Sequence, residues 1–173
     1  LSERTNTLIV STKKPWDVLP GIFMLEEAGV PCLISQYRYS MFERTIEAET
    51  IPLATEYGSG LIAFSPLAQG LLTDRYLYGI PADSRAARAT GFLQLDQVTE
   101  EKIAKAKELN ELAARRGQTL AEMALAWVLK DERMTSVIVG ASSVKQLADN
   151  LHALDNLSFT SEELLLIDGI LNK

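Results

Sequence analysis

Cysteine and histidine are almost missing from these 173 residues, with one of each, Cys32 and His152. A single cysteine forms no internal disulfide and cannot anchor a cysteine-rich zinc site. A single histidine offers no paired-imidazole metal site, and no nucleophile–base pair is visible in the spacing around it. Apolar runs are short; none approaches the roughly 18 residues that a membrane-spanning helix requires. Leu1 to Asn6 shows no basic n-region leading into an apolar h-region, so no secretory leader is expected there. The first residue is not Met, which fits a fragment or a processed chain. Positive charge is also in deficit. The net charge of −6 argues against nonspecific nucleic-acid binding, which rests on a basic surface. Cys32 sits in an apolar segment and is expected to be a buried, inert thiol, as suits a reducing cytoplasm.

What is present is an alternating pattern. The hydrophobic content of 47% and charged content of 23% are those of a soluble globular chain. Residues 1–173 fit one domain or part of a larger one. Thr7 to Val10 reads as a short buried strand. Val18 to Ala28 carries apolar residues at helical spacing and is followed by Gly29. Pro31 to Gln36 reads as a second strand, and Tyr37 to Arg44 as a polar, aromatic loop. Ile46 to Tyr57 reads as a helix in two pieces around Pro52. After a third strand, Leu72 to Leu95 is long and irregular. From Thr99 a helix runs to Arg116, with Ile103, Ala106, Leu109, Leu112 and Ala113 as its buried stripe. Thr119 to Glu122 is a capping box that opens the next helix, to Lys130. A strand follows at Ser136 to Val139, and similar capping patterns at Ser143–Gln146 and Thr160–Glu163 open the last two helices. Strands alternating with helices in this order predict a parallel α/β sheet.

The third strand and its loop, Gly60 to Leu71, organise the rest. Leu61 to Phe64 is apolar without alternation, which predicts a strand buried on both faces. Pro66 lacks the N–H of a ladder residue, so the strand should end by Ser65. In parallel α/β folds the loop past a strand's carboxyl end is where sites are built. Phe64, Ser65, Gln69 and Gly70 there suit a cofactor shelf, although composition alone favours an ordinary strand-to-loop transition. Gly140 to Ser143, opening a helix, forms an anion seat by geometry, with Lys145 and Gln146 in its first turn. Ser143 as a simple helix cap is the competing reading. Arg75 and Arg85 have the planar forks that suit phosphate, or are plain surface charge. His152 reads as a structural or surface residue within a helix. Residue chemistry alone therefore leads to a parallel α/β domain that binds a ligand, with phosphate as its expected feature.

Several motifs in fixed order go further. Ile62 to Thr73, Gly79 to Arg85, Arg116 to Leu120 with Ala124 to Leu129, and Ser136 to Ser142 with Gln146 and Asn150 resemble the aldo-keto reductases. The likeness is greatest to bacterial members related to voltage-gated potassium channel β subunits. It implies a parallel (β/α)8 TIM barrel, of which this chain would be strands five to eight, the C-terminal half. It implies NADP(H) as cofactor and a small carbonyl compound as substrate. By that matching, Ser11 and Gln36 would hold the nicotinamide carboxamide and Phe64 would stack on its ring. Ser65, Leu67 and Gln69 would line the pyrophosphate, with Arg75 and Arg85 clamping its charge. Gly140, Ser142, Gln146, Asp149 and Asn150, helped by Lys145, would hold the adenosine and its 2′-phosphate.

This chain departs from the family pattern at Ile9-Val10-Ser11-Thr12, where the family usually has Gly before Ser. The family's catalytic Asp, Tyr, Lys and His belong to the first half of its barrel, and no residue here matches them. The expectation is therefore a cofactor-binding half of an NADPH-dependent carbonyl reductase, cytoplasmic, with no membrane insertion and no metal. The alternatives are a pseudoenzyme or partner subunit that holds NADP(H) without turnover, and a truncated inactive product. Two unpaired sheet edges predict a homo-oligomer or a complementing N-terminal half.

Overall fold

The computed structural model describes residues 9–10, 18–30, 32–81 and 95–173. Four strands, β1 (Ile9–Val10), β2 (Ile34–Arg38), β3 (Gly60–Phe64) and β4 (Met134–Ile138), form one sheet in the order β1-β2-β3-β4. Every pairing is parallel. Six helices connect and follow them: α1 (Val18–Glu27), α2 (Thr50–Glu56), α3 (Glu100–Arg115), α4 (Leu120–Leu129), α5 (Val144–Leu151) and α6 (Ser161–Leu171). The order matches the alternation read from the sequence. Each parallel strand is laid beside the one before it, always stepping the same way. Right-handed crossovers that never reverse direction place their helices on one face of the sheet. A doubly wound sheet would show a reversal; a barrel wall does not.

Alternation along the strands agrees. Ser35, Tyr37, Leu61 and Ala63 are buried. Their neighbours Gln36, Ile62 and Phe64 are only half-buried, and Arg38 and Ile138 are exposed. The register sets Gln36 beside Ile62 and Phe64 between Arg38 and Ile138, so these residues share the open face. The sequence led to the expectation that β3 is buried on both faces. One face is buried, and the other, with Gly60, Ile62 and Phe64, is only half-buried, so its apolar run is only half used.

Two strand limits also differ. β2 continues through Tyr37 and Arg38, which the sequence placed in a loop. The buried rings of Tyr37 and Tyr39 hold this extension against the core. β4 starts at Met134, two residues earlier than its most apolar stretch. The core gathers around Trp127, Leu109, Met123, Leu72 and Ile167. Tyr39 stacks on Trp127 with ring centroids 5.3 Å apart and donates its hydroxyl to Glu47 at 2.8 Å. Burial and this bond both push the Tyr39 hydroxyl pKa up. Arg44 then joins Glu47 to Asp168 of α6. Burial opposes its charge, but the two carboxylates outweigh that and raise its pKa. This network fixes the segment after β2 against the helical layer. No helix among the described residues is long and apolar enough to cross a membrane.

Candidate functional site

Parallel strands share one carboxyl rim, so the segments after β2, β3 and β4 emerge on the same side of the sheet. Tyr39 N donates to the Phe64 carbonyl at 3.3 Å, which extends the β2–β3 contact to the rim. Phe64 is the last residue of β3 and stands on the open face with Gln36. A flat ring and an amide therefore sit within two register positions of each other, on adjacent strands and outside the helix-packed layer. Arg38 belongs to the same row, directly beside Phe64. The sequence reading missed it, and the signal was the Tyr37–Tyr39 alternation that marks a strand continuing past Gln36.

The loop after β3 is held in an unusual backbone. Ser65, Ala68 and Gln69 have φ of 56°, 47° and 61°, and Gly70 follows at 101°. Left-handed conformations cost a non-glycine residue on the order of 1 kcal/mol each, and such residues cluster at ligand clamps. Local bonds hold this loop. Gln69 Nε2 donates to Ser65 Oγ at 3.0 Å, and Thr73 Oγ1 donates to the Gly70 carbonyl at 2.7 Å. Leu67, half-buried, accepts at its carbonyl from Gly70 N at 2.9 Å. Gly70 is required twice over, by its φ and because a Cβ there would meet the Tyr76 ring at 3.3 Å. Arg75 lies exposed in the short 3₁₀ turn Asp74–Tyr76 just beyond.

The turn after β4, Gly140 to Ser142, is exposed. Ser143 caps α5, its Oγ accepting from Gln146 N at 3.1 Å. The reciprocal half of the expected capping box is absent. Gln146 Oε1 reaches one residue further back and accepts from Ser142 N at 2.7 Å and from Ser142 Oγ at 3.0 Å. Gln146 thus sets a neutral oxygen on one of the N–H groups of this turn. Lys145 pairs with Asp149 at 2.7 Å on the solvent side, and this partner raises the lysine's pKa.

Asn150 stands apart from that turn. It is 9% exposed, its Nδ2 has no hydrogen-bond partner, and it lines a cavity of about 310 Å³ between α4, α5 and β4. The structure therefore couples Ser65 with Gln69 and Ser142 with Gln146, and lays Gln36 and Phe64 on one face. Ser11 and Arg85 lie outside the described residues. His152 closes α5, exposed, beside Asp155.

The family model for the aldo/keto reductase family matches residues 9–172. The chain is 44% identical over 163 residues to an L-glyceraldehyde 3-phosphate reductase from Escherichia coli O157:H7, a match covering 92% of this chain and 47% of that protein. The same-named protein of Escherichia coli K12 is 42% identical over the same shares. A probable voltage-gated potassium channel subunit beta of Oryza sativa subsp. japonica is 36% identical over 77% of this chain and 42% of its own length. The chain thus spans about half the length of the curated relatives it matches.

Proposed function

The chain belongs to the aldo/keto reductase family, and from that premise we propose that it is the dinucleotide-holding half of an NADPH-dependent carbonyl reductase. In this reading its strands are five to eight of the family's (β/α)8 barrel, and residues 1–173 form the C-terminal half of that domain. When bound, NADPH would supply the hydride that reduces an aldehyde or ketone carbon. Everything else falls to the chain's own residues. Phe64 offers a flat apolar surface for the nicotinamide ring. The Gln36 amide, with Ser11, fixes the ring's carboxamide and so decides which ring face meets the substrate. Ser65, Leu67 and Gln69 curve around the pyrophosphate, with Arg75 and Arg85 supplying positive charge. Gly140, Ser142 and Gln146 take the 2′-phosphate and adenine, with Asp149, Asn150 and Lys145 behind them.

One observation carries the reading. Gln36 and Phe64 share the uncovered face at the rim where the strained loop Ser65–Gly70 also emerges. The names of the relatives make a small phosphorylated aldehyde the first substrate to assay. A second reading, an NADP(H)-holding partner subunit without turnover, draws on the β-subunit relatives.

NADPH titration by fluorescence tests the assignment. Phe64→Ala, and Arg85→Ala combined with Gln146→Ala, should each weaken NADPH by tenfold or more, about 1.4 kcal/mol. NADH should be weakened less by the second change, because it lacks the 2′-phosphate assigned to Gln146 but keeps the pyrophosphate assigned to Arg85. Unchanged NADPH affinity in both variants would remove the assignment. The 173-residue chain alone should bind NADPH without consuming it in the presence of an aldehyde. Turnover by that chain would locate a proton donor within it and overturn the half-site reading.

A further inference from the structure

We infer that Arg38 is a specificity residue of this site: its guanidinium holds the anionic group, phosphate or carboxylate, of a charged carbonyl substrate. This rests on the reading above in which Phe64 and Gln36 hold the nicotinamide end of the cofactor, and it names the residue that selects the substrate class.

Arg38 is the last residue of β2, as Phe64 is of β3, and the two are register partners. β2 is paired on both sides, with β1 and with β3, so this row is set inside the sheet and not at its edge. Alternation fixes the face on which the side chain leaves the strand. Tyr37 and Tyr39, on either side, are buried in the core, so Arg38 leaves on the open face with Gln36. Residues two apart on a strand are separated by about 7 Å, and adjacent strands by about 4.8 Å. The Arg38 backbone therefore lies one strand from Phe64 and about 7 Å nearer the rim than Gln36. It is held there. Tyr39 N donates to the Phe64 carbonyl at 3.3 Å, and the Tyr39 hydroxyl donates to Glu47 at 2.8 Å.

The charge of Arg38 is uncommitted. Arg44 is neutralised by Glu47 and Asp168, and Lys145 by Asp149. Arg38 is exposed and takes part in no ion pair among the described residues. An unpaired cation on a strand whose backbone is fixed needs little ordering to receive an anion. In the reading above the cofactor's own phosphates go elsewhere, to the loop after β3 and the turn after β4. β4 lies on the far side of Phe64 from Arg38. Arg38 therefore borders the ring on the side that those phosphates leave free. A substrate whose carbonyl meets the ring can set an anionic end against this cation when the two groups lie a few bonds apart. A guanidinium offers phosphate or carboxylate two parallel N–H donors and a full charge, which a neutral hydroxyl does not repay. Arg38 should thus sort aldehydes by charge.

Steady-state kinetics on the complete native reductase, with the change made in this half, test the inference. The probes are glyceraldehyde 3-phosphate, succinic semialdehyde and uncharged glyceraldehyde. Arg38→Ala should raise KM about tenfold or more for an aldehyde whose anion it holds, with kcat nearly unchanged. KM for glyceraldehyde and the affinity for NADPH should stay within about twofold. Loss for one charged probe and not the other tells phosphate from carboxylate. Arg38→Lys keeps the charge and should recover part of the loss. A second readout needs no turnover. Glycerol 3-phosphate and succinate, titrated by calorimetry into the NADPH-loaded protein, form complexes that cannot react. At least one should bind wild type about tenfold more tightly than Arg38→Ala. Wild type that binds neither, or that binds both no better than the variant does, overturns the inference. So does an equal loss for charged and neutral aldehydes, which marks a structural residue. A loss confined to NADPH overturns it too, because it gives Arg38 to the cofactor's phosphates. Phe64→Ala in the same assays separates the two proposals. NADPH affinity unmoved by Phe64→Ala strikes the cofactor site. NADPH affinity that falls there, with charge discrimination unmoved by Arg38→Ala, strikes the Arg38 assignment alone.

Discussion

At the scale of single residues, the loop after β3 concentrates conformational cost. Three non-glycine residues with positive φ within five positions would not persist in a loop free to relax. Pro66, buried, and Ala68, 5% exposed, pin it from below, while the Gln69–Ser65 bond ties its top. Gly70 is where this arrangement is least forgiving. Gly70→Ala would place a methyl 3.3 Å from the Tyr76 ring on a backbone at φ 101°. The expected loss is on the order of 2 kcal/mol, combining backbone strain with repacking. A urea midpoint within error of wild type would show that the loop can re-form around alanine. NADPH affinity should fall with it, because the loop's curvature is what Ser65 and Gln69 contribute.

At the scale of elements, helix boundaries were the most legible part of the chain. The spacing of Thr119 to Glu122 and of Thr160 to Glu163 predicts caps, and both form complete capping boxes. Gly117 follows the end of α3 with φ of 69°, as a residue ending a helix should. Ser143 fits the same pattern, yet Gln146 bonds Ser142 instead, since a longer amide can reach a competing donor that spacing does not reveal. Strand ends were less legible. Tyr-Arg-Tyr after Gln36 looks like loop chemistry until the alternation of two buried rings around one exposed guanidinium is seen. The open face of β3 could not be read at all, because an apolar run does not say whether both its sides find partners. The α6 cap also yields a pH prediction. Arg116, with a side chain 3% exposed, pairs with Glu163 at 2.7 Å and lies over Phe159 at 3.8 Å. Burial opposes the Glu163 charge, but the bond from Thr160 N and the Arg116 pair outweigh it, holding its pKa below the usual range. A carboxyl depressed in the folded state stabilises at neutral pH; that contribution is full above the ordinary Glu pKa of about 4.3 and is lost as pH falls below it, through the depressed value. Glu163→Gln should therefore be less stable than wild type at pH 7, by on the order of 1 kcal/mol. The two should converge in urea melts as pH is taken below the ordinary Glu pKa of about 4.3. A constant difference across that range would show that the carboxylate's charge is not the stabilising feature.

At the scale of the molecule, the helical side of the sheet is closed and the opposite side is not. Trp127, Leu109 and Met123 are 1%, 0% and 0% exposed, while Phe64, Gln36 and Ile138 face outward across one wall. A wall of this kind is stabilised from its helical side. Trp127→Ala should therefore cost about 3–5 kcal/mol in urea melts, the loss expected of a buried aromatic side chain. Ile138→Ala, at a side chain 48% exposed on the opposite side, should change stability by no more than about 0.5 kcal/mol. Equal losses in the two variants would mean that the outward row is packed as tightly as the helical one.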